Sequence, residues 1–194
     1  MRTIVVVNGK GGVGKSTLSV LIALSLGRAQ IPVAVRDLDK RQQSTAEWTQ
    51  RLSEVESGLV EENATVGPKP RFVLVDTPGN MEFVESAELP KANLYIVPTS
   101  TSLLDQKVTR DTVAYLKKKF PEAAIRVLFN KVAASAKDSR ALDEFAIAIG
   151  AEALKNFLRQ RTCYRYAAID GWSELSKEAE EELLKITTEI ASIA

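Results

Sequence analysis

The sequence predicts an α/β fold: a mostly parallel, twisted sheet with helices on both faces, stacked as three α/β/α layers. Two observations carry this. Short apolar runs recur without period-2 alternation, as parallel strands buried on both faces do. Between them lie segments with apolar residues at helical spacing, and such alternation gives βα units joined by right-handed crossovers. The length of 194 residues fits one domain spanning 1–194. A chain of that size buries roughly 70% of its extended surface and needs no metal or disulfide staple.

Thr3–Val7 reads as the first strand, and a glycine-rich turn leads into a helix over Ser16–Ala29, with Leu18, Leu21, Ile22, Ser25 and Leu26 at helical spacing. Pro32–Arg36 is the second strand. An amphipathic helix over Thr45–Ser57 ends before Gly58, and Gly67-Pro68-Lys69-Pro70 is a loop. Arg71–Val75 and Asn93–Val97 are the third and fourth strands. A helix over Leu103–Phe120 is stopped by Pro121, and Ile125–Phe129 is the fifth strand. The next helix, Asp138–Ile149, ends at Gly150, a C-cap residue. Asn156–Leu158 is expected as a short sixth strand. Ser173 is expected to N-cap the last helix, where Leu175, Ala179, Leu183, Ile186, Ile190 and Ile193 share one face.

Composition excludes several chemistries. The chain has no histidine, so a Ser-His-Asp triad, a Cys-His dyad and an imidazole metal site are ruled out. Its single cysteine, Cys163, cannot form an internal disulfide or a cysteine-rich zinc site, which favours a reducing cytoplasm. The apolar run Ile4–Val7 is too short for a signal peptide, and no stretch approaches the ~18 apolar residues of a membrane span. A net charge of +1 argues against a generally basic nucleic-acid binder. The charge is uneven, however. Residues 107–165 hold 13 Lys/Arg and 6 Asp/Glu, and residues 170–194 hold 2 Lys and 7 Asp/Glu. Such asymmetry marks either a functional face or an accidental partition of solvated surface.

The strongest signal comes directly after the first strand. Gly9-Lys10-Gly11-Gly12-Val13-Gly14-Lys15-Ser16-Thr17 matches G-x-x-x-x-G-K-[ST] between a strand and a helix, the context of a P-loop NTPase. The glycines let the backbone curl so that consecutive N–H groups face an anion, and the helix beginning near Ser16 adds its positive dipole end. Gly11, Gly12, Val13, Gly14 and Thr17 are thus expected around the phosphates. Lys15 is expected to reach the β- and γ-phosphates, and the Ser16 hydroxyl to ligate Mg²⁺. Wrapping phosphate does not require a second lysine at position 10, and two lysines in one loop repel unless an anion or a partner separates them.

Lys10-Gly11-Gly12-Val13-Gly14-Lys15-Ser16 resembles the deviant Walker A motif of the ParA/MinD ATPases. The resemblance implies that Lys10 reaches across an ATP-sandwich homodimer to the other subunit's phosphates. Asp37 and Asp39 end the second strand, spaced so that both point to one side if the strand continues. The family has D-x-D here, which implies that Asp39 positions the attacking water and that Asp37 supports the Mg²⁺ region. The family's following Pro-Gln and small residue are replaced by Lys40-Arg41-Gln42-Gln43-Ser44, with shifted spacing. An Asp pair capping the next helix is the plainer alternative. Asp76 ends the third strand in Asp76-Thr77-Pro78-Gly79, where a carboxylate is expected to hold a Mg²⁺-bound water, and the Gly79 N–H is placed to sense a γ-phosphate.

A GTPase shares these motifs but would want Asn-Lys-x-Asp after a late strand. Asn130-Lys131-Val132-Ala133 lacks the final carboxylate, so ATP is favoured. The resemblance implies that Asn130 reads the adenine edge; a strand-end turn residue is the alternative. A metabolic kinase or ligase would not need Lys10 and should show further catalytic groups. The Val97–Asp105 stretch resembles a family segment near the dimer interface.

Family outputs are membrane, DNA or metallocluster work. The terminal helix is acidic at Glu174, Glu178, Glu180, Glu181 and Glu182, which anionic lipid would repel, so no membrane partner is expected. Nonspecific DNA is expected, with Lys117, Lys118, Lys119, Arg159, Arg161 and Arg165 as candidate contacts doubled in an ATP dimer. The late loop, with Arg159-Gln160-Arg161, Tyr164-Arg165-Tyr166 and Asp170-Gly171, resembles the short plasmid-partition ParA proteins. With the phosphate loop starting within ten residues, no N-terminal helix-turn-helix is expected. The resemblance implies a nucleoid-associated plasmid partition ATPase stimulated by a ParB-like adaptor, or one that positions a protein compartment.

Overall fold

The computed structural model describes residues 1–40, 44–53, 58–60, 68–133 and 139–194. Among the described residues, six strands form one sheet: β1 (Arg2–Val6), β2 (Val33–Asp37), β3 (Phe72–Asp76), β4 (Leu94–Thr99), β5 (Ala124–Phe129) and β6 (Glu152–Ala153). Their order is β2-β3-β1-β4-β5-β6, and every pairing is parallel. The described helices are α1 (Lys15–Arg28), α2 (Ser44–Ser53), α3 (Met81–Glu85), α4 (Leu103–Lys119), α5 (Ser139–Ile149), α6 (Cys163–Asp170) and α7 (Lys177–Ile193). The expected α/β/α fold is the one observed.

The absence of alternation in the strands has a direct cause. Ile4 and Val6 pack into one core with α1, α6 and α7, while Val5 and Val7 pack into the other with α4 and α5. Both sides of β1 are dry, so both need apolar residues. α1 is buried along nearly its whole length, from Leu18 to Leu26. Each fully buried Leu or Ile there contributes about 1.5–3 kcal/mol.

Two expectations change. The sixth strand is Glu152–Ala153, not Asn156–Leu158. Leu154 N donates to Val127 O and Leu158 N to Phe129 O, so the edge takes four steps where β5 takes two, and 155–157 bulges out of the ladder. Ser173 lies in a 3₁₀ turn, Trp172–Glu174, that buries Trp172. Ser176 caps α7 instead, its hydroxyl accepting from Ala179 N. The short helices α3 and α6 carry too few turns to register as periodic. The distal end of the predicted second helix, 54–57, falls outside the described residues, as do Gly67 and the predicted helix start Asp138.

Strand register brings two acidic residues side by side. Asp76 pairs with Asp37 on one side and with Val6 on the other, just before the loop after β1. Both carboxylates therefore stand at the carboxyl edge of the sheet, where open α/β sheets bind ligands.

Candidate nucleotide-binding site

The loop after β1 is anchored from below. Asn8, fully buried, donates through Nδ2 to Pro98 O (2.8 Å) and Thr109 Oγ1 (3.0 Å), and accepts at Oδ1 from Lys10 N (2.8 Å). Gly9 N donates to Thr112 Oγ1 (3.1 Å). The loop start is thus fixed to β4 and α4. Gly12 (φ +78°) and Gly14 (φ +94°) then hold left-handed conformations, which glycine adopts without penalty. Gly14 precedes α1 with no side-chain cap, and no acidic residue occupies the first turn of α1. The positive helix end is left for an external anion.

Lys15 is buried, and its Nζ donates to Lys10 O at 3.0 Å. Burial lowers its pKa; the charges of Asp76 and Asp39 oppose this. Asp76 is 1% exposed, and burial raises its pKa. Hydrogen bonds from Ser16 and Thr45 work against that rise, Asp37 adds to it, and Lys15 pulls it down. Thr45 Oγ1 donates to Asp76 Oδ2 at 2.6 Å, and Ser19 Oγ lies 3.5 Å from Asp76 Oδ1. Buried Lys15 and the Ser16 hydroxyl line one cavity, and the buried Asp76 carboxylate accepts from Ser16 beside it. That donor set fits a triphosphate with Mg²⁺: Ser16 would hold the cation and Lys15 the phosphates, and the cation would supply charge neutralisation there, with Asp76 as the supporting carboxylate. Among the described residues no three acidic or cysteine side chains gather into a separate metal cage.

Asp37 does not face this pocket with free oxygens. Oδ1 accepts from Asp39 N (2.8 Å), and Oδ2 from Thr45 N (3.0 Å) and Ala46 N (3.1 Å). It caps α2 and so places Thr45 on Asp76. Asp39 lines two neighbouring cavities. One, of about 340 Å³, is walled by Gly11, Gly12, Gly14, Lys15, Ser16, Thr17, Thr77, Gly79 and Lys131. The other, of about 480 Å³, runs past Leu38, Lys40, Pro78 and Phe83. Gly79 sits where they join; a Cβ there would lie 2.8 Å from Gly11 Cα and 2.9 Å from Lys15 Nζ. The Lys10 ammonium makes no hydrogen bond or ion pair with the described residues.

Asn130 is buried and locked to the loop. Nδ2 donates to Val13 O (2.8 Å), and Oδ1 accepts from Lys131 N (2.9 Å). Sequence reasoning missed Asn8, Thr45 and the loop contact of Lys131. Their partners lie 31 to 119 residues away, beyond any local pattern.

The cationic candidates separate. Lys117 and Lys118 are exposed and Lys119 is half-buried, donating to Ser86 O, all at the end of α4. That end precedes β5, so they lie at the sheet edge opposite the glycine-rich loop. Arg159 bridges to Val132 just past β5, on the loop's own edge. Arg161 donates to Glu182 at 2.7 Å, and Arg159 lies 3.7 Å from the same carboxylate and over the Phe157 ring. Burial pushes Glu182 up, but hydrogen bonds from Arg161, Tyr164 and Arg159 N outweigh it and leave its pKa below the ordinary value. Arg165 on α6 is exposed. Cys163 is half-buried. Residues 41–43 of the altered segment lie outside the described residues.

Comparison with known proteins agrees with this geometry. The CobQ/CobB/MinD/ParA nucleotide binding domain family matches residues 4–171. The chain is 30% identical to the maintenance of carboxysome distribution protein A of Gloeobacter kilaueensis, over 97% of this chain and 94% of that protein. The protein of the same name from Halothiobacillus neapolitanus is 22% identical over 97% and 95%. The MinD cell division protein of Aquifex aeolicus superposes with a TM-score of 0.77 at 14% identity, covering 100% of this chain and 98% of that one.

Proposed function

As the chain belongs to the CobQ/CobB/MinD/ParA nucleotide-binding family, we propose that it is a Mg²⁺-dependent ATPase whose ATP-bound dimer binds DNA nonspecifically and positions a cargo. The observation that carries the dimer is Lys10. It sits mid-loop with an ammonium that nothing in the described residues satisfies, beside a pocket that already has its own phosphate lysine, Lys15. A second copy facing the cavity would present Lys10 to the opposite triphosphate and relieve the repulsion between the two lysines. Leu104, 80% exposed at the start of α4, offers an apolar contact at the same edge. Asp39, which lines both cavities, would orient the attacking water, and Asp39→Ala is expected to accumulate the ATP-bound form.

Positioning of a protein compartment is the preferred cargo reading, because the relative at 30% identity is named for carboxysome distribution. Plasmid partition is the second reading, favoured by the Arg159–Gly171 loop. For DNA contact we favour Arg159, which stands on the loop's edge, with Arg161 and Arg165 just after it in the chain; an ATP dimer would double this set. Lys117–Lys119 point to the far edge. Fluorescence anisotropy of a random-sequence duplex, titrated with protein plus ATP, ADP or no nucleotide over a salt series, tests the switch. Binding is expected with ATP alone and falls as salt rises; nucleotide-independent binding overturns it.

A further inference from the structure

Over Gly12–Gly14 the protein itself grips the carbonyls of the phosphate loop rather than its N–H groups. Lys131 Nζ donates to Gly12 O at 2.7 Å, and Asn130 Nδ2 donates to Val13 O at 2.8 Å. These are consecutive peptides. In a trans peptide the C=O and the following N–H point in opposite directions. Drawing Gly12 O and Val13 O toward the turn after β5 therefore turns Val13 N–H and Gly14 N–H away from it. Neither N–H donates to a protein acceptor among the described residues. A curl of consecutive free N–H groups is an anion nest.

The turn is built for this grip. Lys131 holds φ +58°, a left-handed conformation that a side-chain-bearing residue rarely adopts. Asn130 Oδ1 accepts from Lys131 N and fixes that turn. A Cβ on Gly14 would sit 2.5 Å from Asn130 Nδ2, so the loop is pressed against the amide. Lys131 also walls the phosphate cavity.

We propose that Asn130 and Lys131 form a clamp that sets the anion-binding shape of the loop. Both are positioning residues: they act on the triphosphate through Gly12 and Val13. The clamp rests on the nucleotide-binding reading of this same site and assigns Asn130 a role in addition to the adenine contact that the family resemblance implies.

Isothermal titration of the whole chain with Mg²⁺-ATP, and with inorganic tripolyphosphate plus Mg²⁺ as competitor, separates these roles. Lys131→Met is expected to weaken both ligands by the same factor, about tenfold for one charge-assisted hydrogen bond, and Asn130→Ala to weaken tripolyphosphate as well as ATP. Lys131→Arg, which keeps donors within reach of a carbonyl, is expected to recover most of the loss. Thermal unfolding without ligand identifies variants that fail to fold, and Lys131→Arg then serves as the folded comparison. Unchanged affinity in Lys131→Met, or a loss confined to ATP, overturns the clamp. Absence of nucleotide binding by the unaltered chain overturns the nucleotide reading itself.

Discussion

Glu182→Gln isolates the contact that joins the 159–164 segment to the last helix. The Glu182 carboxylate accepts from Arg161 (2.7 Å), from Tyr164 Oη (2.8 Å) and from Arg159 N (3.2 Å), and its side chain is 19% exposed. The amide keeps the shape and one acceptor oxygen but removes the charge. A hydrogen bond to a charged group contributes about 1.5–3 kcal/mol, and partial exposure discounts the ion pair. A net loss of about 2 kcal/mol is expected, which for a chain of this size lowers the Tm by about 4–8 °C. The sign with pH is fixed by the direction of the shift. Glu182 titrates below its ordinary value of 4.5 in the folded state. Its contribution is present above that value and is lost as pH falls through the lower, folded one. Circular dichroism melts should therefore show the full deficit at about pH 7 and a narrowing one toward about pH 4. Equal melting at neutral pH, or a deficit that acidification leaves untouched, would refute the reasoning.

Two further substitutions test the phosphate site. Thr45→Val keeps the shape of a fully buried residue but removes the 2.6 Å donor to Asp76; a loss of about 2 kcal/mol is expected in urea unfolding of the ligand-free chain, with Thr45→Ser retaining most of the stability. Gly14→Ala demands a left-handed alanine, about 1–2 kcal/mol, and drives a methyl against Asn130; a fall in ATP affinity of more than about tenfold is expected by titration, and wild-type affinity would show that the loop tolerates a different path.

The sheet was legible because each buried strand needs apolar residues on both faces, and the phosphate loop because its glycines and lysine form a contiguous pattern. The partners of those residues were not legible. Thr45 meets Asp76 only because Asp37 caps α2, and Asn8 meets Thr109 only once β4 and α4 are in place. The capping alternative for Asp37 was visible in the sequence, and it is the contact observed. The edge of the sheet misled for a physical reason: Phe157 and Leu158 are apolar because they pack against the core, while Glu152–Ala153 pairs with β5 through backbone and the Glu152–Arg126 ion pair, which no apolar run announces. The basic region looked continuous along the chain. The crossover through α4 carries Lys117–Lys119 to one edge of the sheet and returns the chain toward Arg159 at the other.

Light scattering of the purified chain with Mg²⁺ and a slowly hydrolysed ATP analogue, with ADP, and without nucleotide measures the dimer directly. A doubling of mass with the ATP analogue alone, lost in Lys10→Ala while nucleotide binding persists, is the predicted result. A mass that ignores nucleotide, or a Lys10→Ala dimer indistinguishable from the unaltered one, would contradict the account.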